Sequence, residues 1–268
     1  MTSPPTLSDP RDRSKEYFGR QAQAYVVSSD HQYQEDLATL LEWGEVESRH
    51  RVLDVATGGG HTAMALASRT GCIIASDLTH PMLEAARRHA DEKRVDGEAR
   101  ILFAQCEAGA LAFADGVFDR VTCRIAPHHF PDIDLFLREC RRVSAPEGRL
   151  LMIDSVVPEN PALGRFMNEL ERRRDGSHVE SYTVSHWLER LEAAGWRATR
   201  HRIFRKRHPY DEWTRRSGMS LTQARQLSDW ILSQPEACHA YFQLEVEGGR
   251  VSGYTDDKWL VEARKAES

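Results

Sequence analysis

The sequence of 268 residues predicts an α/β fold with a seven-stranded, mostly parallel sheet and helices on both of its faces. Apolar strand-like segments near 51–56, 72–77, 100–105, 119–125 and 149–155 alternate with helix-like segments near 61–69, 81–95 and 133–143. Alternation of this kind needs crossover connections and therefore a parallel sheet. The first strand also opens into a glycine-rich turn that enters a helix, which is the local context of a nucleotide site.

The remaining elements lie before and after this alternating region. Residues 1–12 are rich in Pro and Ser and are expected to form a disordered tail, and 13–268 to form one domain. Two further strands are predicted at 196–205 and 259–264, helices at 14–43, 158–174 and 185–194, a capping box at Ser220 and Gln223, and a hairpin from Gln243 to Tyr254. The domain then divides into a core (46–157, 196–206 and 258–266) and three lid segments (13–45, 158–195 and 207–257).

Charge and composition exclude several classes of protein. A formal charge of -5 disfavours a general binder of nucleic acid or of anionic membranes. Two basic clusters, Arg172–Arg174 and Arg202–His208, are expected to be solvated faces, and a patch for an anionic substrate is the alternative. We expect neither nucleic acid nor a membrane as a partner.

Cysteine spacing and the absence of long apolar runs bear on the compartment. The five cysteines contain no C-x-x-C pair, so we expect no metal, and their scatter suits a reducing environment. No signal peptide is evident in the first ten residues, and no apolar run reaches the length that spans a membrane. A cytoplasmic protein, either a monomer or a homodimer, is expected.

The glycine-rich turn follows Asp54 at the end of the first strand. The dinucleotide fingerprint G-x-G-x-x-G would fall on Ala56, Gly58 and His61, so two of its glycines are missing and a nicotinamide cofactor is disfavoured. Gly58 is expected either to adopt a positive φ or to approach a ligand closely. Asp77 ends the second strand, where a carboxylate can accept both hydroxyls of a ribose. A purely structural tight turn is the alternative interpretation.

Read as an acid followed by G-x-G-x-G, with Ala56 in the first glycine position, the turn resembles motif I of the class I S-adenosylmethionine (SAM) methyltransferases. Three later segments resemble the same family in the same order: 107–119, 118–130 with its His-His loop, and Ala145–Gly148 before the fifth strand. The His-His loop is similar to that of the subgroup containing ubiquinone, menaquinone and many small-molecule methyltransferases. The resemblance implies a Rossmann-like fold, an antiparallel last strand and SAM as the cofactor.

The resemblance also implies a set of cofactor-binding residues. Asp54 would hold the methionine amino group, Asp77 the ribose, and Glu107 the adenine amino group, while Leu78 would pack on adenine. Tyr17 and Tyr25 would close over the cofactor, although ordinary helix packing is the alternative for both. The full set is Tyr17, Tyr25, Asp54, Ala56, Thr57, Gly58, Gly60, Asp77, Leu78, Met82, Cys106, Glu107, Ala108, Arg124 and Ile125.

Two histidines are the candidates for catalysis. His128 and His129 lie where the resemblance places the loop that faces the methyl group, and histidine suits a general base near neutral pH. Adjacent loop side chains usually point apart, so we expect only one to face the acceptor and favour His128. The alternative is that both are structural and that transfer proceeds by proximity alone. Asp154, His178 and Tyr182 are further candidates for substrate contact.

The sequence therefore predicts a SAM-dependent methyltransferase that acts on a small molecule. Oxygen is the favoured acceptor atom, with carbon or nitrogen as alternatives. Two other functions stay open at this point, an NAD-dependent oxidoreductase and a non-catalytic SAM-binding regulatory protein.

Overall fold

The computed structural model describes residues 9–26, 35–93 and 100–266, and of residues 20–26 and 100 it describes the backbone alone. Helix α1 begins at Pro10, so the end of the predicted tail is helical, and residues 1–8 lie outside the described residues. The side chain of Tyr25 also lies outside them.

The elements follow the predicted order. The strands are β1 (Arg51–Val55), β2 (Cys72–Asp77), β3 (Arg100–Gln105), β4 (Phe118–Arg124), β5 (Ser144–Val156), β6 (Trp196–Pro209), β7 (Glu245–Glu247) and β8 (Arg250–Lys265). The helices are α1 (Pro10–Val26), α2 (Glu35–Gly44), α3 (His61–Ala67), α4 (His80–Glu92), α5 (Ile133–Val143), α6 (Pro161–Arg174), α7 (Val184–Ala193), α8 (Tyr210–Arg216), α9 (Leu221–Leu232) and α10 (Glu236–Tyr241). A short 3-10 helix spans Pro127–His129.

The strands form one sheet in the order β3-β2-β1-β4-β5-β8-β6. Strands β1 to β5 pair in parallel, and β8 runs antiparallel to both β5 and β6. This confirms the mostly parallel sheet and the antiparallel last strand. The chain moves outward from β1 through β2 to β3 and then restarts at β4 on the other side of β1. Such a reversal leaves a crevice beyond the carboxyl ends of the strands, where ligands bind in open α/β sheets.

Three strands, β5, β6 and β8, run well beyond their predicted bounds, and β6 ends at Pro209 rather than at 205. The turn expected at Ala145–Gly148 is a bulge inside β5, because the register with β4 shifts between Phe118 and Arg120. A Cβ on Gly148 would lie 2.9 Å from the Ala145 carbonyl oxygen, so the bulge needs glycine there. Strand β8 is much longer than 259–264 because the predicted hairpin continues into it. Its turn has two positive-φ glycines, Gly248 and Gly249, and it adds the short eighth strand β7.

Three large apolar clusters hold the described part of the fold together, and a small fourth one packs Phe18 of α1 against Met82 and Ala85 of α4. Successive residues of β1 face opposite sides of the sheet, so that Leu53 packs in one large cluster and Val52 in the other. A third cluster joins α6, α8, α9 and α10 to the hairpin through residues such as Phe166, Trp213 and Tyr254. The lid segments therefore have a core of their own. Within the described ranges, no helix combines the length and the apolar character that crossing a membrane requires.

Candidate active site

A first cavity lies beyond the carboxyl ends of β1, β2 and β4, at the predicted crevice. Helix α1 borders it on the other side. Most of the predicted cofactor-binding residues line it, namely Ala56, Thr57, Gly58, Asp77, Leu78, Met82, Cys106, Glu107, Ala108, Arg124 and Ile125. We call this space the first cavity.

The glycine-rich turn forms the floor of the first cavity. Ala56 has φ 52° and Gly58 φ 54°, so the chain keeps the left-handed conformation even where alanine replaces glycine. A Cβ on Gly58 would meet nothing within 4 Å, which leaves open space above the turn. Gly60 does not line the cavity; a Cβ there would lie 3.2 Å from the Ala86 Cβ in α4, so Gly60 allows close packing. His89, which sequence reasoning missed, donates from Nδ1 to the Gly59 carbonyl at 2.9 Å.

Asp77 joins the turn to the end of β2. Its Oδ2 accepts the Gly58 N–H at 3.1 Å and its Oδ1 accepts the Thr79 N–H at 3.0 Å. Burial raises the pKa of this carboxyl despite these hydrogen bonds. Thr79 Oγ1 also donates to Oδ1, at 3.3 Å, so three of the about four hydrogen bonds that a carboxylate can accept are in use and one is left for the ribose. A carboxylate beside open space over a glycine fits a cofactor that carries a ribose.

Asp54 lies behind the turn and does not line the first cavity. Its two oxygens accept hydrogen bonds from the Thr57 and Thr122 hydroxyls, each at 2.6 Å. Burial raises its pKa to about 6, and those two hydrogen bonds offset the shift only in part. In this arrangement Asp54 braces the turn, whereas the sequence predicted a contact with the methionine amino group.

Helix α1 covers the first cavity through Arg11, Ser14 and Phe18, which share one helix face. Arg11 Nε lies 2.5 Å from Glu107 Oε1, and the Phe18 ring packs edge-on against His129 at 4.9 Å. The predicted Tyr17 is not among the described residues that line the cavity. It packs against Phe18, with the ring centroids 5.2 Å apart. The sequence predicted a cofactor contact from this helix at Tyr17, whereas the structure has the neighbouring Phe18 on the first cavity.

The end of β4 is held in an unusual geometry. Arg124 forms a bidentate pair with Asp36 of α2, with Nη2 2.9 Å from Oδ2, and both side chains are buried. The next residue, Ile125, has φ 54°, which is rare for a β-branched residue and is found at sites that the surrounding structure over-determines. Its N–H donates to the Ile153 carbonyl at 2.7 Å. This turn directs the chain into the His-His loop.

His128 forms a buried pair with Asp154 of β5. Its Nδ1 lies 2.5 Å from Asp154 Oδ1, and Asp154 is fully buried. Because a carboxylate can only accept, Nδ1 carries the hydrogen, and Nε2 is left as the basic nitrogen. The His128 carbonyl accepts the N–H groups of Val179 and Glu180, which fixes the loop against the segment after α6. This pair has the arrangement in which a carboxylate orients a histidine base.

His129 and His178 are in different surroundings. His129 Nδ1 lies 3.2 Å from Ser177 Oγ, and burial lowers its pKa to about 4, so it is neutral at pH 7 and a weak base. His178 donates from Nε2 to Asn168 Oδ1 at 2.8 Å, and burial also lowers its pKa. Although these rings lie near His128, no group of His, Cys, Asp or Glu in the described part of the chain is arranged to hold a metal ion.

A second cavity lies beside the His-His loop. His128 lines only this cavity, whereas Ile125 and His129 line both, so the two cavities adjoin at these residues. Four basic side chains line it: Arg174 of α6, Lys206 of β6, Arg216 of α8 and Lys258 of β8. Sequence reasoning did not assign these residues to the site, although Arg174 and Lys206 belong to the two basic clusters it singled out. Tyr182 lines neither cavity and packs against Trp187, with Arg190 over its ring at 5.0 Å.

Comparisons with known proteins agree with this geometry. The family described as "Methyltransferase domain" matches residues 53–152. An uncharacterized methyltransferase of Bacillus subtilis, YcgJ, is 35% identical over 210 residues, which cover 78% of this chain and 82% of that protein. A demethylmenaquinone methyltransferase of Thermus thermophilus is 37% identical over 116 residues, 42% of this chain and 51% of that protein.

Solved structures extend the likeness to the whole fold. The crystal structure of YcgJ superposes with a TM-score of 0.82 at 31% identity and covers 88% of this chain and 100% of that one. A proposed methyltransferase from Bacillus halodurans gives a TM-score of 0.83 at 37% identity, covering 87% of this chain and 100% of that one. With the motif order, the crevice and these relatives in agreement, the chain belongs to the class I SAM-dependent methyltransferases.

Proposed function

We propose that the protein transfers a methyl group from SAM to the oxygen of a small-molecule acceptor and that His128 is the general base. The observation that carries this proposal is the buried His128–Asp154 pair beside Ile125 and His129, the residues that the two cavities share. An acceptor hydroxyl must lose its proton as it becomes an ether oxygen. A histidine oriented by a carboxylate supplies a group for that task. A carbon acceptor would also have to lose a proton, so the pair supports base-assisted transfer, and oxygen is the acceptor atom that we propose.

The first cavity would hold the cofactor. Asp77 would accept a hydrogen bond from the ribose, and the open space above Gly58 would let the cofactor approach the main chain of the turn. Met82 and Leu78 would pack on the adenine. Glu107 already accepts from Arg11 and would share its remaining lone pairs with the adenine amino group. When bound, SAM supplies an electrophilic methyl group on a sulfonium. Phe18 and the rest of α1 would keep water away from that charge.

The second cavity would hold part of the acceptor. Side chains from β5, α6, β6, α8 and β8 surround it, together with the His-His loop. The enclosed space measures about 40 Å³, which fits a small polar group of the acceptor rather than a whole metabolite. His128 Nε2 would take the proton of the acceptor hydroxyl, Asp154 would stabilise the resulting positive charge, and His129 would position the acceptor without ionising.

The first experiment measures binding and turnover in the full chain. We expect calorimetric titration to detect SAM and its demethylated product, and to detect no NAD. Transfer of an isotope-labelled methyl group to a library of hydroxylated metabolites then identifies an acceptor. General-base catalysis contributes about 10²–10⁴-fold, so His128→Ala should lower kcat by that factor and leave the SAM affinity unchanged.

His129→Ala is the comparison variant, because it removes the neighbouring ring and leaves the His128–Asp154 pair in place. A larger loss of kcat in His129→Ala would assign the base to His129. If neither variant slows transfer tenfold, no base is used and positioning alone carries the reaction. SAM binding without transfer to any acceptor would favour the regulatory alternative.

A further inference from the structure

The second cavity has a charge that the transfer of a methyl group does not require. Arg174, Lys206, Arg216 and Lys258 line it, and Glu171 is the one carboxylate among its described lining residues. His208 also lines it. A neutral or cationic acceptor would gain nothing from such a lining.

The cations are built into the fold. The side chains of Arg174 and Lys258 are 8% and 6% exposed. Arg174 donates to Glu171 Oε2 at 2.7 Å and lies over the Trp213 ring, 4.9 Å from its centroid. Lys258 Nζ donates to Ser155 Oγ at 2.6 Å and to Asp256 Oδ2 at 2.7 Å. Burying charge costs free energy, and cations fixed in advance lose little entropy when they bind an anion.

The carboxylates that support these cations lie mostly behind them. Asp256 bonds to Lys258 and, through Oδ1 at 3.0 Å, to His208 Nε2, yet it does not line the cavity. Asp154 likewise contacts His128 from behind. The surface that a ligand would meet is therefore more positive than the whole cluster. In a site that excludes water, such an arrangement attracts an oxyanion strongly.

We propose that the second cavity binds an oxyanionic group of the methyl acceptor, a carboxylate or a phosphate, and thereby directs the acceptor hydroxyl toward His128. The proposal deepens the proposed function and rests on it for the identity of the ligand as the acceptor. Arg174 and Arg216 offer planar guanidinium groups, which bind carboxylate and phosphate oxygens in pairs, and Lys258 offers a point charge. These residues would determine which acceptors react.

The test uses anions alone, so it does not depend on turnover. We would titrate the full chain, saturated with the demethylated product of SAM, with inorganic phosphate and separately with benzoate; trimethylammonium is the cationic control. At least one anion should bind, and Arg174→Gln should weaken that binding tenfold or more. Arg216→Gln, a change nearer the protein surface, tests the same lining should Arg174→Gln fail to fold.

Arg173→Gln is the matched control. Arg173 is also bonded to a carboxylate, Glu169 Oε1 at 2.8 Å, and also lies over an indole, Trp230 at 4.6 Å, but it does not line the second cavity. Its variant should bind the anion within twofold of the wild type. A tighter response to phosphate than to benzoate would assign the group as a phosphate, and the reverse as a carboxylate.

Two results would overturn the proposal. One is that neither anion binds the wild type more tightly than it binds Arg174→Gln and Arg216→Gln. The other is that both variants weaken SAM as much as they weaken the anion, because the cations would then serve the cofactor. Failure of the proposed function looks different: anion binding would depend on Arg174 while His128→Ala left transfer unchanged.

Discussion

A buried carboxylate lies behind each of the two cavities, Asp54 behind the first and Asp256 behind the second. The surroundings of these two carboxylates shift their pKa values in opposite directions. Behind the first cavity, Asp54 receives only hydroxyl hydrogen bonds, and burial raises its pKa to about 6. Behind the second cavity, burial would likewise raise the pKa of Asp256, but Lys258 and His208 lower it below its ordinary value. The ionised carboxylate of Asp54 therefore lowers the stability of the fold, whereas that of Asp256 is needed to balance the charge of its neighbours.

This difference reflects what each cavity has to bind. The first cavity is built from a turn, strand ends and small or apolar side chains, and its carboxylates suit a ligand with hydroxyls and a positive charge. The second cavity is built from long cationic side chains on elements far apart in the sequence. The first cavity is thus shaped mainly by main chain at a turn and at strand ends, whereas the second is shaped by charged side chains.

The largest effect we expect is on the free energy of unfolding, when each of these two aspartates is replaced by asparagine. Asp256→Asn leaves Lys258 and His208 without their counter-charge, and breaking a buried ion pair from one side costs about 3–5 kcal/mol. Asp54→Asn removes a charge that has no cationic hydrogen-bond partner, and the free energy of unfolding at pH 7 should not fall. Chemical denaturation of both variants measures the difference. Equal losses would show that the two carboxylates are equivalent and would break the comparison.

The pH dependence of stability sharpens the same test. The folded pKa of Asp54 is raised, so the unfolded chain binds fewer protons between pH about 4 and about 6, and stability falls as pH rises through that window. The shift corresponds to about 3 kcal/mol, which Asp54→Asn should remove from the profile. The folded pKa of Asp256 is lowered, so its contribution is present above pH about 4 and is lost as pH falls further.

The second prediction concerns the space above the glycine turn. Gly58→Val should reduce SAM affinity at least about 100-fold, because the added side chain fills the first cavity. Gly116→Val is the matched control: Gly116 has φ 69° and, like Gly58, no atom within 4 Å of an added Cβ, but it lies outside both cavities. Both variants carry the same backbone strain of about 1–2 kcal/mol. SAM affinities within threefold of each other would exclude the space above Gly58 from the cofactor site.

The first cavity could be predicted from sequence because most of its lining residues fall in short contiguous segments that follow strands. Strand alternation, the glycine turn and the acid at the end of β2 each combine a local pattern with a topological rule. Burial depth is not a local property, which is why Asp54 was expected at the cofactor and instead braces the turn. The strain at Ala56 was also invisible, since a positive φ at alanine depends on the packing around the turn.

The second cavity could not be predicted because it depends on which side of an element faces inward. In β6, Lys206 and His208 point into the cavity while Arg205 and Arg207 are exposed, as the two-residue period of a strand requires. The sequence showed the basic run but not α8, the helix that covers one of its faces. The same limit applies to α1, where a shift of one residue separates Tyr17 from Phe18.

The smallest effect we expect is at the contact between α1 and the first cavity. Arg11 and Glu107 side chains are 38% and 33% exposed, and ion pairs this accessible contribute less than about 1 kcal/mol. Arg11→Ala should therefore lower the SAM affinity less than about fivefold, because Phe18 still holds the helix against His129. The lost ion pair should also speed hydrogen exchange in α1. Lys15→Ala, on the exposed face of the same helix, should change neither quantity. A loss of tenfold or more in Arg11→Ala alone would mean that the guanidinium binds the cofactor itself, and the first cavity would then share the cationic character of the second.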